Sequence, residues 1–360
     1  MKIRKTARGL LLCCVVVSLF GCGVKKDTGV SEEKNTGRKT LTVLNYGEYI
    51  DRNVLTEFEK ETGIKVLYEE ATTPEEMYAK YNTGAIHYDV VCSSDYMVER
   101  FIREGKAQKL DFSLWKYKNN IDSRYFKLSR TFDPKNRYSV PYFWGTVGIL
   151  YDQSKVKGKI DSWKSLFDGS YAGSIMMQNS IRDAYMTALK YKGYSLNTTK
   201  TEEILEAQSL LLAQKGDVEA YFVDEISEEM ISGNATVAVC YSGEAGVASE
   251  YNKNLRYVVP KEGSNLWIDS WLITRKCQHP KWANRFLDFL CRKDIAMKNF
   301  EEIYYATPNK AVYNSLSKEE KTNPILFPKE DIMKKSEVYR TLDEKITEFY
   351  GKLWKELKVK

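Results

Sequence analysis

The sequence predicts an α/β fold, because strand-like and helix-like segments alternate along most of its 360 residues. Apolar runs at 41–46, 64–68 and 88–92 are separated by segments in which apolar residues have helical spacing. Helices placed between consecutive strands predict a mostly parallel sheet that is covered by helices. A second series of the same kind begins near residue 146, so we expect two α/β units.

The helices of the first unit have recognisable ends. The first is expected to stop at Gly63, since glycine is common just after a helix. For the second, Thr73 predicts the N-cap, Pro74 the first helical position, and Glu76 completes a capping box. A third helix is expected at residues 95–104.

The second unit and the C-terminal part follow the same periodicities. Strands are predicted at 146–151, 174–177, 235–241 and 266–274. Helices are predicted at 182–191, 201–215 and 243–251, then as one long run at 280–303 and a terminal helix at 346–357.

The first residues predict export. Four basic residues precede an apolar run at 10–20, which is too short to span a bilayer and is typical of a signal peptide. The segment Leu19-Phe20-Gly21-Cys22 resembles a bacterial lipobox. We therefore expect a lipoprotein signal peptide at 1–21, lipidation of Cys22 and a flexible tether at 22–37; an uncleaved anchor helix is the alternative.

Charge and cysteine content narrow the function. Removal of the leader, with its four basic residues and no acidic one, lowers the net charge from +6 to +2, and no basic stripe predicts a nucleic-acid partner. Four cysteines remain after Cys22, without a CxxC pair, so neither a zinc site nor a redox motif is expected. The sequence does not decide whether any of these four cysteines form a disulfide.

Two segments combine aromatic rings with carboxylates: 45–49 (Asn-Tyr-Gly-Glu-Tyr) and 267–271 (Trp-Ile-Asp-Ser-Trp). Ring faces attract an alkyl-ammonium group and carboxylates accept its N–H bonds, so this combination suits an organic cation. Either segment alone also fits an ordinary strand beside a solvated acid. Because marked clusters follow several predicted strands, we expect a ligand cleft at the carboxyl ends of those strands.

No catalytic pattern is visible. His87 and His279, the two histidines, have no partner motif, and the Gly-rich segments match neither a phosphate loop nor a dinucleotide fingerprint. The sequence does not decide whether two carboxylates form a glycosidase-type catalytic pair, because the distance between them in space cannot be read from sequence. We predict a binding protein without catalytic residues, metal or cofactor.

An ordered series of motifs between about residue 40 and residue 355 then resembles a known family. The motifs are residues 45–49, 61–66, 77–80, 141–145, 193–199, 267–270 and 307–309. Together they resemble the spermidine/putrescine-binding proteins of polyamine ABC importers. The resemblance implies a two-lobed periplasmic-binding-protein fold (type II-like) with the ligand in a cleft between lobes.

The resemblance also implies domain bounds and partners. One lobe would contain 38–146 plus 270–313, and the other 147–269 plus 314–360. The protein would be a monomer outside the cytoplasmic membrane that captures putrescine or spermidine. It would deliver the polyamine to a membrane permease with a cytoplasmic ATPase, without chemistry of its own.

Site residues are implied position by position. The aromatic positions that line the methylene chain match Tyr46, Tyr49, Tyr96, Tyr241, Trp267 and Tyr305. The acids that meet ammonium groups match Glu48, Asp183 and Asp269, with Ser94 as a polar neighbour. Glu337 falls near a position that supplies a polar amide.

Departures from the family pattern concern the ligand. Tyr46 and Tyr241 stand where Trp is usual, and Ser180 stands where an acid is usual. One carboxylate fewer favours putrescine over spermidine, unless Glu337 supplies the missing charge. Two alternatives remain: a receptor of the same fold for another solute, including an anion held by Arg182, and an extracytoplasmic enzyme.

Overall fold

The computed structural model describes residues 39–222 and 225–359. The predicted signal peptide, the tether and the lipidation site at Cys22 lie outside these ranges. The described residues belong to one compact unit.

Ten strands of the described chain share one sheet. They are β1 (Thr40–Tyr46), β2 (Lys65–Ala71), β3 (Val90–Ser93), β4 (Ala107–Gln108), β5 (Ser139–Asp152), β6 (Ile175–Gln178), β7 (Val218–Phe222), β8 (Val237–Tyr241), β9 (Leu255–Val258) and β10 (Leu266–Thr274).

Helices cover the sheet and connect its strands. They are α1 (Arg52–Thr62), α2 (Pro74–Thr83), α3 (Asp95–Arg103), α4 (Ser123–Ser129), α5 (Ile181–Tyr191), α6 (Thr201–Gln214), α7 (Ile226–Ser232), α8 (Ser242–Tyr251), α9 (Pro280–Leu290), α10 (Lys293–Ile303), α11 (Lys310–Ser315), α12 (Lys318–Thr322), α13 (Glu330–Met333) and α14 (Glu344–Val359). The α/β class is confirmed.

The sheet is mixed, so the expectation of a mostly parallel sheet was wrong. Its order is β2-β1-β3-β10-β5-β8-β6-β7, with β4 added to β10 and β9 to β5. β1 is parallel to β2 and β3, and β6 is parallel to β7 and β8. The long strands β5 and β10 are antiparallel to their neighbours and join the two parallel groups.

β5 belongs to both groups of strands. Residues 139–146 pair with β10, whereas residues 147–151 pair with β8. Its side chains divide in the same way, since Trp144 packs in a core cluster with Leu44 and Phe101, while Val147 packs with Trp163. Different core clusters on the two halves of one continuous sheet agree with a two-lobed binding-protein fold.

The predicted end of α1 and the predicted N-cap of α2 are confirmed, whereas the predicted capping box differs by one residue. α1 ends at Gly63, which has φ 69°, and Thr73 Oγ1 accepts the N–H of Glu76 (3.1 Å) at the start of α2. The predicted capping box is displaced by one residue, because the Glu76 carboxylate accepts the N–H of Thr72 (2.7 Å) rather than that of Thr73.

The single long helix predicted at 280–303 was wrong. The chain forms α9 and α10, with an extended Arg292 (φ −63°, ψ 137°) between them. The carbonyl of Cys291 accepts side-chain amides of Asn120 (3.0 Å) and Asn309 (2.8 Å) in place of a helical partner. These two distant asparagines satisfy the carbonyl at the break.

The cysteines of the described chain, Cys92, Cys240, Cys277 and Cys291, are buried thiols without disulfides. Across residues 39–222 and 225–359, none of the helices combines the length and the apolar character needed to cross a membrane. The same residues contain no cluster of three or more His, Cys, Asp or Glu side chains suited to a metal ion.

Candidate functional site

Two tyrosines at and just after the end of β1 lie close to the middle of β10. The hydroxyl of Tyr49 donates to Asp269 Oδ2 (2.7 Å), and the ring of Tyr46 lies edge-on to that of Tyr49 with centroids 5.5 Å apart. Burial raises the pKa of Tyr46, and the charges of Asp269 and Tyr96 add to the increase, which places all three groups near one another. The sequence segments 45–49 and 267–271 are therefore joined at one site.

Asp269 is a buried acid whose carboxylate accepts one hydrogen bond, from Tyr49, among the described residues. It is 9% exposed and lies where the pairing of β10 with β5 shifts register. Burial raises the pKa of its carboxyl to about 7, against the opposing effect of the Tyr49 hydrogen bond. Half of the carboxyl groups are then protonated near neutral pH, unless a cation holds the charge.

Asp183 forms a second acidic centre in the first turn of α5. It is 3% exposed. The hydroxyl of Tyr241, at the end of β8, donates to Oδ2 (2.7 Å), and the hydroxyl of Tyr339 donates to Oδ1 (3.1 Å). The N-terminal end of the helix also favours negative charge at this position.

Two further aromatic rings lie near Tyr49, since the Tyr305 ring is 6.1 Å from that of Tyr49 between centroids. Trp267 and Tyr305 meet edge-on with centroids 4.9 Å apart. Gly145 lies against the Trp267 ring and Gly243 against the Tyr305 ring, so that a Cβ at either glycine would overlap the ring. The absence of side chains at these two positions lets the Trp267 ring approach β5 closely and the Tyr305 ring approach the start of α8 closely.

Other predicted residues take supporting places. Ser180 is the N-cap of α5, and its Oγ accepts the N–H of Asp183 at 3.4 Å, which gives the serine a capping role. Ser94 is the N-cap of α3 but makes no side-chain capping bond. Tyr96 donates its hydroxyl to Glu75 (3.0 Å), and Glu48 is exposed with φ 53°.

A profile of a family described as bacterial extracellular solute-binding protein matches residues 53–328. The chain belongs to this family. It is 35% identical over 313 residues to the spermidine/putrescine-binding periplasmic protein of Escherichia coli K12, covering 86% of this chain and 89% of that protein.

Two solved structures of solute-binding proteins are similar over nearly their whole length. One is the spermidine/putrescine transporter substrate-binding protein of Streptococcus pneumoniae, with 36% identity, a TM-score of 0.83, and coverage of 89% of this chain and 99% of that one. The other is a putative spermidine/putrescine transporter protein from Listeria monocytogenes, with 36% identity, a TM-score of 0.79 and the same coverage. The predicted family and fold are confirmed.

Glu337 does not join the acids of this solute-binding protein. Its carboxylate pairs with Lys190 (2.9 Å) and accepts the hydroxyl of Ser195 and the N–H of Leu196 (3.3 Å). A protein cation therefore already neutralises Glu337, and a contribution of its charge to a ligand stays a prediction. Tyr339, two residues later, is the one that reaches Asp183.

Sequence reasoning also missed Asp95, which is 1% exposed in the first turn of α3. An acid at that place is common at helix starts and gave no separate signal. Within the described residues, no Lys or Arg forms an ion pair with Asp95, Asp183 or Asp269. The site of this solute-binding protein therefore combines buried negative charge with aromatic surface, as a cationic ligand requires.

Proposed function

We propose that this solute-binding protein captures a polyamine outside the cytoplasmic membrane and delivers it to a permease with a cytoplasmic ATPase. The observation that carries the proposal is the pair of buried carboxylates, Asp183 and Asp269, which are held by tyrosine hydroxyls and have no ion pair in the described chain. Each terminal ammonium of a polyamine would neutralise one of them.

The aromatic residues would hold the methylene chain between those ends. The rings of Trp267 and Tyr305 offer apolar faces, and Tyr46 and Tyr49 add ring surface next to Asp269. Capture at micromolar concentration needs about 8 kcal/mol, a magnitude that two desolvated ammonium–carboxylate pairs and several ring contacts can supply.

The anionic alternative loses its main support. The guanidinium of Arg182 already donates to the carbonyls of Arg340 (3.2 Å) and Leu196 (3.2 Å) and to Asn197 Oδ1 (3.0 Å). It also lies over the Tyr339 ring, 4.3 Å from the centroid. An arginine engaged in this way is not a free fork for a carboxylate or phosphate.

The lobes would contain 38–146 plus 270–313 and 147–269 plus 314–360, closing on the ligand. The mature chain would be a monomer held at the membrane through lipidated Cys22, and it would perform no catalysis.

Calorimetric titration of the purified chain with putrescine, spermidine and spermine tests the proposal. We expect heat of binding and a micromolar or lower Kd for at least one of them. A folded protein that binds none of the three contradicts it.

A further inference from the structure

Residues 338–341 lie between the two halves of the sheet, and we call this segment the strap. Val338 is buried in the core cluster that contains Leu44, whereas its neighbour Tyr339 is buried in the cluster that contains Trp163. The first cluster includes residues of β1 and β3, and the second includes residues of β6 and β8. Consecutive residues of the strap therefore pack in the cores of different halves.

Side chains of the second α/β unit hold the strap on one side. Asn197 Oδ1 accepts the N–H of Arg340 (2.9 Å), and the guanidinium of Arg182 donates to the Arg340 carbonyl (3.2 Å). The hydroxyl of Tyr339 donates to Asp183 (3.1 Å). Since Arg182 and Asp183 both lie in the first turn of α5, the strap is fixed to the helix that carries one of the two proposed ligand acids.

Hydrogen bonds to α3 hold the strap on the other side. Thr341 Oγ1 donates to the carbonyl of Tyr96 (2.7 Å), and the N–H of Thr341 donates to the carboxylate of Glu99 (2.6 Å). Glu99 is buried, and the guanidinium of Arg340 lies 3.5 Å from its carboxylate. Because α3 follows β3, which pairs with β10, the strap connects α5 to the part of the sheet that carries Asp269.

We propose that Thr341 and Glu99 are positioning residues that fix the separation of the Asp183 and Asp269 carboxylates, and thereby the length of the polyamine that binds best. The inference rests on the polyamine function proposed above. Its support is the series of hydrogen bonds that runs from Asp183 through Tyr339 and the strap to α3.

A fixed separation of two acids selects among ligands by length. A diamine that is too long or too short for that separation must either give up an ammonium–carboxylate contact or adopt a strained chain. If the strap is loosened, the two halves can adjust to such a diamine, so the penalty for a wrong length falls. Rigid support of a site by residues that do not touch the ligand acts in this way.

The test compares Thr341→Val with the unmodified protein, using calorimetric titration with straight-chain diamines from diaminopropane to diaminooctane. Valine keeps the branched shape of threonine and removes the hydroxyl that donates to Tyr96. We expect the unmodified protein to bind one chain length about tenfold or more tightly than the diamine with two further methylene groups. In Thr341→Val this ratio should fall to about threefold or less.

Thr347→Val is the matched control. Thr347 lies in α14, and its hydroxyl donates to the carbonyl of Asp343 (2.9 Å) within the same part of the chain. The same chemical change there should leave the ratio within about twofold of the unmodified protein. Glu99→Ala removes the acceptor of the Thr341 N–H and should lower the ratio as Thr341→Val does. Thermal unfolding of each variant verifies that it is folded.

The outcomes separate the two proposals. A flattened length profile in Thr341→Val and Glu99→Ala, with an unchanged profile in Thr347→Val, supports the positioning role. Equal weakening of all diamines, which a loss of stability alone would produce, overturns that role, as does an unchanged profile or an unmodified protein without a length preference. Each of these leaves the polyamine function standing, whereas an unmodified protein that binds neither a diamine nor spermidine overturns the function itself.

Discussion

Two buried aspartates in this protein are satisfied in opposite ways. Asp133, 1% exposed in the turn before β5, accepts the N–H groups of Arg137 (3.1 Å), Tyr138 (2.8 Å) and Ser139 (3.0 Å), and the hydroxyl of Ser139 (3.1 Å). Asp269, 9% exposed in β10, accepts one hydrogen bond from the described residues, that of the Tyr49 hydroxyl.

The difference shows what each acid stabilises. Four donors compensate the desolvation of Asp133, so its charge favours the folded turn. One donor does not compensate that of Asp269, and burial raises the pKa of its carboxyl to about 7. Because the protein does not offset the desolvation of the Asp269 carboxylate, this charge is available to an incoming cation.

The largest expected effect is on affinity, and it should appear at Asp269. Asp269→Asn removes the carboxylate that meets an ammonium group, so polyamine affinity should fall about hundredfold. Unfolding of the ligand-free variant should occur at the same temperature or higher, since a buried charge has been removed. Titration calorimetry and thermal unfolding measure the two quantities, and unchanged affinity would show that Asp269 does not meet an ammonium group of the ligand.

Asp133→Asn is the reciprocal change. Loss of the charged acceptor of four donors should lower the free energy of unfolding by about 2 kcal/mol. Affinity for the polyamine should stay within about twofold of the unmodified protein, because the turn lies outside the proposed site. Urea denaturation and titration calorimetry give both numbers, and a large loss of affinity without loss of stability would reverse the assignment of the two acids.

The dependence on pH should follow Asp269. Its pKa in the folded protein is about 7, above the ordinary value near 4, so the ligand-free folded state binds more protons than the unfolded state. Its contribution to stability is therefore lost as pH rises from about 4 to about 7. Polyamine affinity should change in the other direction, increasing about tenfold or more from pH 5.5 to 8, because binding needs the carboxylate.

Titrations across this range with the unmodified protein and with Asp269→Asn test the pH dependence. The variant should show a flatter profile. An affinity that increases towards acid pH would contradict the assignment.

The smallest effect is expected at Tyr49. Its hydrogen bond lowers the pKa of Asp269 against the effect of burial, so Tyr49→Phe should raise that pKa further. At pH 7 the affinity should fall about threefold, with the midpoint of the pH profile moved upwards by about half a unit. A midpoint moved to lower pH would show that the hydroxyl does not support the charged form.

The sequence predicted the parts of this site that lie in local patterns. Asp269 and Trp267 lie in one short segment of aromatic and acidic residues, and Asp183 lies at the start of a helix that follows a strand. The ordered motifs shared with the family were enough to identify all three residues. Periodicity likewise predicted most strands and helices. These signals depend on residues within a few positions of one another.

What could not be predicted depends on contacts between distant residues. Lys190 neutralises Glu337 from 147 positions away, and no local pattern contains that pair. The helix break at Cys291 depends on hydrogen bonds from Asn120 and Asn309. The antiparallel direction of β10 depends on the path of the chain before that strand, which local patterns do not contain. Asp95 was overlooked because an acid in the first turn of a helix is common and needs no further explanation from the sequence. Its contact with β10 cannot be seen in the local pattern.

A crystal structure of the protein with spermidine would show whether the two buried aspartates bind the ammonium groups. We expect ammonium nitrogens within about 3 Å of the carboxylates of Asp269 and Asp183, with the methylene chain against Trp267 and Tyr305. A polyamine bound elsewhere, or these carboxylates paired with protein cations while the ligand is bound, would contradict it.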